Sequence, residues 1–448
     1  MEFPGERTIS PCMRGADFQH RDRGGYVQPE ECVPQGHPLR KIREMVNGVL
    51  KEMSSFLETL YVPFGRSSIA PEYLLRALLL QIFFTIRSER QLMEQMRYNL
   101  LFRWFVGLGI GDPIWDVTVF TKNRDRLLDS GVAQEFFERI LGLARAADLL
   151  SDEHFTVDGT LIEAWASHKS FQRKDDDAHG DGGSPKQVSD LGEGGKNPSV
   201  DFRGEKRSNV THASITDPDA RLARKNAGSA AVLAHSGHVT MENRSGLVVK
   251  CIVTPPSGVA ERAATAHMMI NLLDDLRAAG KLPATSRLEP VTIERLLASD
   301  GAELPPAQIE IEVPPNLLGD EASSRNHDQP RKIKITLGAD KAYDCPVLVT
   351  ILRHFGIEPH IARNTKRPGG SALDAKIEKE PGYAVSQRKR KLVEEIFGWS
   401  KVIGTIRKTK MRGTALVGWM FTLNAAAYNV VRMVKLFAQR AAAAAAAT

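Results

Sequence analysis

The sequence predicts a mixed α/β chain, with a small all-helical region ahead of a larger core in which strands and helices alternate. Three observations predict it. Apolar residues recur at helical spacing from about residue 36 to 150. The pattern changes at His154, where HFTVDG reads as a short β-branched strand running into an acid. A hairpin, a helix, a strand, a helix, a strand and further helices follow, an order that describes one mixed domain over 151–440.

Residues 1–35 are polar with scattered Gly and Pro, and are expected to be loosely ordered. In the helical region, 36–150, Pro71 suits a first helical position ahead of EYLLRALLLQIFF. Ser88 with Gln91 reads as a capping box opening one helix, ERQLMEQMRYNLLFRW. Further helices are expected over Val119–Leu128 and Val132–Leu149, with Arg87, Arg90, Arg97, Arg103, Lys122, Arg124 and Arg126 among them.

Within the core, 173–205 is rich in Gly, Asp and Lys and reads as a flexible loop. AVLAHSGHVTM and LVVKCIVT form a hairpin around Asn243–Gly246, and Gly258–Ala279 has helical spacing. Residues 281–330 hold seven prolines and no clean period, an irregular insertion. KIKITLGADKAYD is an alternating strand ending on Asp340. A helix (Pro346–Phe355), a strand (Pro359–Ala362), a loop to Tyr383, a basic helix from Ser386 and an apolar helix from Thr414 to Gln439 complete it. The tail, 441–448, is low in complexity and expected to fray.

A composition 42% hydrophobic and 25% charged excludes disordered and fibrous classes. The net charge is only +6, so the question is where positive charge collects. Cys12, Cys32, Cys251 and Cys345 lie far apart without a C-x-x-C pair, which gives neither a zinc site nor a disulfide framework and points to a reducing cytoplasm. No stretch approaches the ~20 apolar residues of a membrane helix. Leu74–Ile86 and Leu416–Val430 read as buried helices, and no membrane partner is expected.

Magnesium and manganese prefer hard oxygen ligands, and two such ions ~3.5–4 Å apart can activate a water and stabilise a leaving oxygen in phosphodiester chemistry. Such a site needs acids at the ends of neighbouring strands and another on a covering helix. Asp158 and Asp340 each end a predicted strand, and Glu394 lies on the basic helix. Singly, an Asp at a strand end is more often a turn or cap residue than a ligand, so the surroundings carry the case.

Those surroundings resemble the DDE transposases of bacterial insertion sequences that carry the signature Tyr-x2-Arg-x3-Glu-x6-Lys. Arg390, Glu394 and Lys401 match its last three positions. On a wheel of 100° per residue these three fall within about 40° of one another, on a stripe separate from the apolar arc of Leu392, Val393, Ile396 and Phe397, while Glu395 lies off the stripe. FTVDGTLIEAWASHKSF, LGADKAYD, GEKRSNVTHASITDPDARLARK, the hairpin, RGTALVGWMFTLNAAAYNVVR and much of the helical region extend the resemblance over most of the chain, from near Met13. The first twelve residues are therefore expected to come from an upstream start choice. The resemblance implies a ribonuclease-H-like catalytic core, with Asp158, Asp340 and Glu394 holding two magnesium (or manganese) ions. It further implies metal-dependent cleavage at the element's ends and strand transfer into target DNA. Double-stranded DNA (terminal inverted repeats and target) is the implied partner, held by a homodimer in a bacterial cytoplasm. Two features depart from the family: Gln387 stands at the Tyr position, with Tyr383 nearby, and 281–330 is either a tolerated surface loop or a scar.

Ser386–Arg412 carries nine Lys or Arg against two Glu, a local +7. Arg388, Lys389, Arg390, Lys391, Lys401, Arg407 and Lys408 are therefore candidate phosphate contacts, Arg390 and Lys401 flanking the scissile bond. Residues 203–225, including Arg207, form a second basic stretch. Trp165 and Trp399 are expected to pack inside, and His168 and His212 to play ordinary polar roles. Two other readings remain: a decayed or repurposed DNA-binding protein, and a metal-dependent nuclease without strand transfer.

Overall fold

The computed structural model describes residues 14, 28–62, 64, 68–174, 207–226, 228–282 and 334–447. Most of residues 1–27 lie outside the described residues, as do almost all of the expected 173–205 loop and the 281–330 insertion.

The helical region comprises α1 (Pro29–Cys32), α2 (Pro38–Glu52), α3 (Ser54–Glu58), α4 (Pro71–Phe83), α5 (Glu89–Tyr98), α6 (Leu100–Val106), α7 (Val117–Leu128) and α8 (Val132–Ala146). Proline in the first turn opens α1, α2 and α4, where its missing N–H costs nothing. The Gln91 N–H donates to Ser88 Oγ at 3.4 Å, so the predicted cap of α5 is present. The single helix expected over 89–104 divides at Asn99. Its side-chain oxygen accepts the N–H groups of Leu101 (3.0 Å) and Phe102 (3.4 Å), which starts a new helix. Arg103 is buried and donates to the carbonyls of Met96 (3.1 Å), Gly109 (2.9 Å) and Asp112 (2.6 Å), so it closes the turn after α6.

The strands are β1 (His154–Glu163), β2 (Phe171–Arg173), β3 (His212–Ser214), β4 (Arg221–Ala223), β5 (Val232–Glu242), β6 (Val248–Thr254), β7 (Ile335–Ala339) and β8 (Ile357–Ile361). Six of them form a curled mixed sheet ordered β6-β5-β1-β7-β8, with β4 beside β6 along the same edge of β5, and β2–β3 form a separate ribbon. β1 is antiparallel to β5 and parallel to β7. Asp158 does not end its strand: it pairs with Val239 in mid-strand, and β1 continues to Glu163 opposite Ala234. The alternation of TLIE prolongs the strand, and β5 is long enough to pair with it. The Glu242 carboxylate accepts the N–H groups of Arg244 (2.9 Å) and Ser245 (2.7 Å), which fixes the predicted hairpin turn.

The remaining helices are α9 (Ala260–Ala278), α10 (Pro346–His354), α11 (Pro381–Lys389), α12 (Val393–Val402) and α13 (Thr414–Ala447). α9 covers the sheet face of Thr240, whose hydroxyl lies 3.6 Å from Met268 Sδ. α13 covers the other face: a Cβ on Gly237 would come within 2.9 Å of the Phe421 ring. The alanine tail prolongs α13 to Ala447 instead of fraying, as the strongest helix former should. One contiguous apolar core joins α2, α4 and α8, through α13, to the sheet. Buried Asp217 ties β5 to α13, bonding His235 Nε2 at 2.9 Å and the Gly413 N–H at 3.1 Å. No described helix is long and apolar enough to cross a membrane.

Candidate active site

Register places the first two acids. β7 pairs with β1 as Thr336 to His154, Leu337 to Phe155 and Gly338 to Thr156. Continued by two residues, the same register sets Asp340 beside Asp158 on one face of the sheet. A Cβ on Gly338 would lie 3.2 Å from Thr156 Oγ1 and 3.6 Å from the Ser386 carbonyl, so glycine lets α11 settle over the strand ends. Asp340 caps a short 3-10 turn, Lys341–Tyr343, accepting the Ala342 N–H at 2.7 Å. Asp158 accepts the Gly159 N–H at 2.8 Å. Burial pushes the Asp158 carboxyl up to about 6, and Asp340 and Glu261 add to the rise against the opposing Arg390 guanidinium.

Glu261 is the acid that sequence reasoning missed. It stands in the first turn of α9, and burial followed by the negative charge of Asp340 raises its carboxyl above the ordinary range. An acid in the first turn of a helix is unremarkable in a sequence, because it complements the helix dipole. Only the fold shows that α9 begins beside Asp158 and Asp340.

The basic helix expected from Ser386 is in three pieces: α11, a 3-10 turn over Arg390–Leu392, and α12. The tighter turn interrupts the single helical stripe drawn through Arg390, Glu394 and Lys401. The apolar arc survives, with Val393, Ile396 and Phe397 buried. Glu395 stands 3.5 Å from Arg432 Nη1, whereas Glu394 is exposed with no side-chain partner among the described residues. Arg390 acts on Asp158, and its Nε is buried without a hydrogen-bond partner among the described residues. Asp158, Asp340 and Arg390 are thus near one another, while Glu394 lies exposed four residues after Arg390, beyond the 3-10 turn. Among the described residues no three His, Cys, Asp or Glu side chains form a ready metal shell. Gln387, at the signature Tyr position, donates to the carbonyls of Ala339 (3.4 Å) and His360 (2.5 Å), tying β7 to β8 just before Asp340. The Tyr383 hydroxyl donates to the Ile361 carbonyl at 3.2 Å.

The remaining cations form a strip. Arg388, Lys391 and Arg407 are exposed, while Lys389, Lys401 and Arg207 are half-buried. Burial, then the nearby positive charges of Lys225 and Arg407, hold the Lys401 ammonium below its ordinary range. The segment carrying Arg407 is pinned to the end of β1: the Glu163 N–H donates to the Arg407 carbonyl at 3.1 Å, and Lys408 Nζ lies 2.9 Å from Glu163 Oε1. Arg87 Nη2 donates to the Lys408 carbonyl at 2.9 Å, so the strip reaches the helical region. Trp165 is 44% exposed just past the end of β1, against the expectation that it packs inside. Trp399 does pack, edge-on to Tyr428 at 5.8 Å. His212 is buried against Phe171 at 5.4 Å, and His168 is exposed.

Residues 27–126 match the family model described as Transposase domain (DUF772). The match lies in the helical region, ahead of all three acids, and supports a transposase family. No curated protein and no solved structure matches the chain.

Proposed function

We propose that this chain is a DDE-type transposase that cuts at the ends of an insertion sequence and joins them to target DNA, with Asp158, Asp340 and Glu394 as its acids. The observation that carries the reading is that Asp340 and Arg390 lie close enough for their charges to act on Asp158, in a chain whose helical region matches a transposase domain. The mixed sheet, with β1 antiparallel to β5 and parallel to β7, is compatible with the ribonuclease-H-like core that the resemblance implies and supports the same reading.

Two magnesium or manganese ions fit the donors, which are hard carboxylate oxygens on adjacent strand ends. Bound there, they would lower the pKa of a water and stabilise the leaving oxygen of a phosphodiester. The chain's own groups bind and orient. The free donor capacity of Arg390 suits a phosphate oxygen, and Arg388, Lys389, Lys391, Lys401, Arg407, Lys408 and Arg207 neutralise flanking phosphates. In the first step a water oxygen bonds to phosphorus and the bond to the 3′-oxygen breaks, leaving a 3′-hydroxyl at the element's end. In the second, that hydroxyl loses its proton and attacks a target phosphorus, expelling the target's own 3′-oxygen. Both steps are the same in-line displacement, so one site serves both. A homodimer would hold the two ends.

Labelled duplexes bearing the element's ends test the reading. Magnesium-dependent joining to a second duplex, lost in Asp158→Asn and Asp340→Asn, is expected. Cleavage without joining would make the chain a nuclease, and binding alone a decayed transposase.

A further inference from the structure

Two buried polar atoms without partners among the described residues lie near the site, one on Tyr343 and one on His238. The Tyr343 side chain is 1% exposed and its hydroxyl has no hydrogen-bond partner. The charges acting on it are Glu261, Asp158 and Asp340. His238 is fully buried; its Nε2 is held by Thr254 Oγ1 at 2.9 Å, and its Nδ1 has no partner. That Nδ1 and Glu261 Oε1 each lie 3.2 Å from the point where a Cβ on Gly159 would stand, immediately after Asp158. Gly159 thus leaves bare strand between the first acid and the start of α9. Carboxylates packed beside partnerless polar groups carry an uncompensated cost that a bound cation removes.

We infer that Glu261 is a further cation ligand of this site, closing on the metal held by Asp158 and Asp340 from the α9 side. Tyr343 and His238 then form the wall behind it, and the Tyr343 hydroxyl orients a ligand carboxylate as a donor. The inference rests on the proposed transposase reading, because it needs Asp158 and Asp340 to bind a divalent ion. Glu261 keeps access to solvent, so its side chain is free to turn toward the acids.

The test is Mn2+ titration of the full chain by calorimetry, without DNA, for wild type, Asp340→Asn and Glu261→Gln, with thermal melts of the metal-free proteins. Glu261→Gln should weaken Mn2+ binding by about ten- to a hundred-fold. Its metal-free melting temperature should stay equal or rise, since a like-charged neighbour of Asp340 is gone. Asp340→Asn should abolish binding. Glu261→Gln with wild-type affinity, beside a dead Asp340→Asn, overturns the role of Glu261 and leaves the transposase reading standing. A Glu261→Gln variant that binds weakly because its metal-free form melts lower has lost a structural residue, and the inference also fails. A wild type that binds no Mn2+, or an Asp340→Asn that binds normally, removes both.

Discussion

Among the described residues, the acidic pocket around Asp158 and the basic strip around Lys401 are both left short of counter-charge, and they differ in how. In the pocket, Asp158, Asp340 and Glu261 crowd together with Arg390 as the opposing cation acting on Asp158. In the strip, Lys401, Lys225 and Arg407 crowd together, while Glu163 pairs with Lys408 farther along. The pocket is partly buried and built at strand ends, which suits a small hard cation held at fixed distance. The strip is largely exposed and spread over loops and helix ends, which suits an extended polyanion met one phosphate at a time. The two deficits differ in sign, burial and extent, and under the proposed function one would serve the cation and the other the DNA backbone.

Removing a ligand from the pocket should have the largest effect. Asp340→Asn should lower end cleavage by about 10³-fold or more with DNA binding intact, measured by gel assays of cleavage and mobility shift on the same duplex. Losing an acid should not loosen the strip's grip on phosphate. Arg390 lies between the two regions, and Arg390→Lys keeps the charge but loses the bidentate fork. Cleavage should fall by about tenfold with little change in DNA affinity; an equal fall in both would assign Arg390 to the strip.

The pocket's deficit also appears as stability. Asp158 titrates at about 6 in the folded chain, against 3.8 as its ordinary value. Between those values the folded state binds more protons than the unfolded one, so stability falls as pH rises from about 4 to 6. The loss is at most about 3 kcal/mol. Asp158→Asn should be more stable than wild type at pH 7 without metal and lack that decline, as urea melts at pH 4.5 and 7 would show. In the strip, Lys401→Gln should weaken DNA binding evenly across sequences and reduce the slope of log affinity against log salt by about 1. The smallest effect belongs to Glu395→Ala, which breaks only the exposed pair with Arg432. It should cost no more than about 1 kcal/mol and leave cleavage unchanged, in contrast to Glu394→Ala.

The parts of this arrangement that depend on local rules were legible in the sequence. Pro71, Ser88 and Asn243–Gly246 mark a helix start, a cap and a turn by chemistry confined to a few residues, and all three are found. Asn99 obeys the same capping rule, but a continuous apolar period hid it. The acids depended on register. The pattern around Asp158 did not show that β1 continues to Glu163, because the length of β1 is set by its partner β5. Glu261 was invisible because its neighbours in space are 103 and 79 residues away in sequence, at Asp158 and Asp340. The helical stripe singled out Glu394 over Glu395. In the fold Glu394 is exposed, Glu395 stands 3.5 Å from Arg432, and the stripe itself is broken at Arg390–Leu392.

The central claim, that Asp158 and Asp340 form one divalent-cation site for DNA strand transfer, is tested most directly by product analysis. Labelled element ends would be incubated with a target duplex, Mg2+ and either wild type or Asp340→Asn. Joined product is expected with wild type only, and none when the metal is chelated. Joining by Asp340→Asn at the wild-type rate, or joining that persists in chelator, would contradict it.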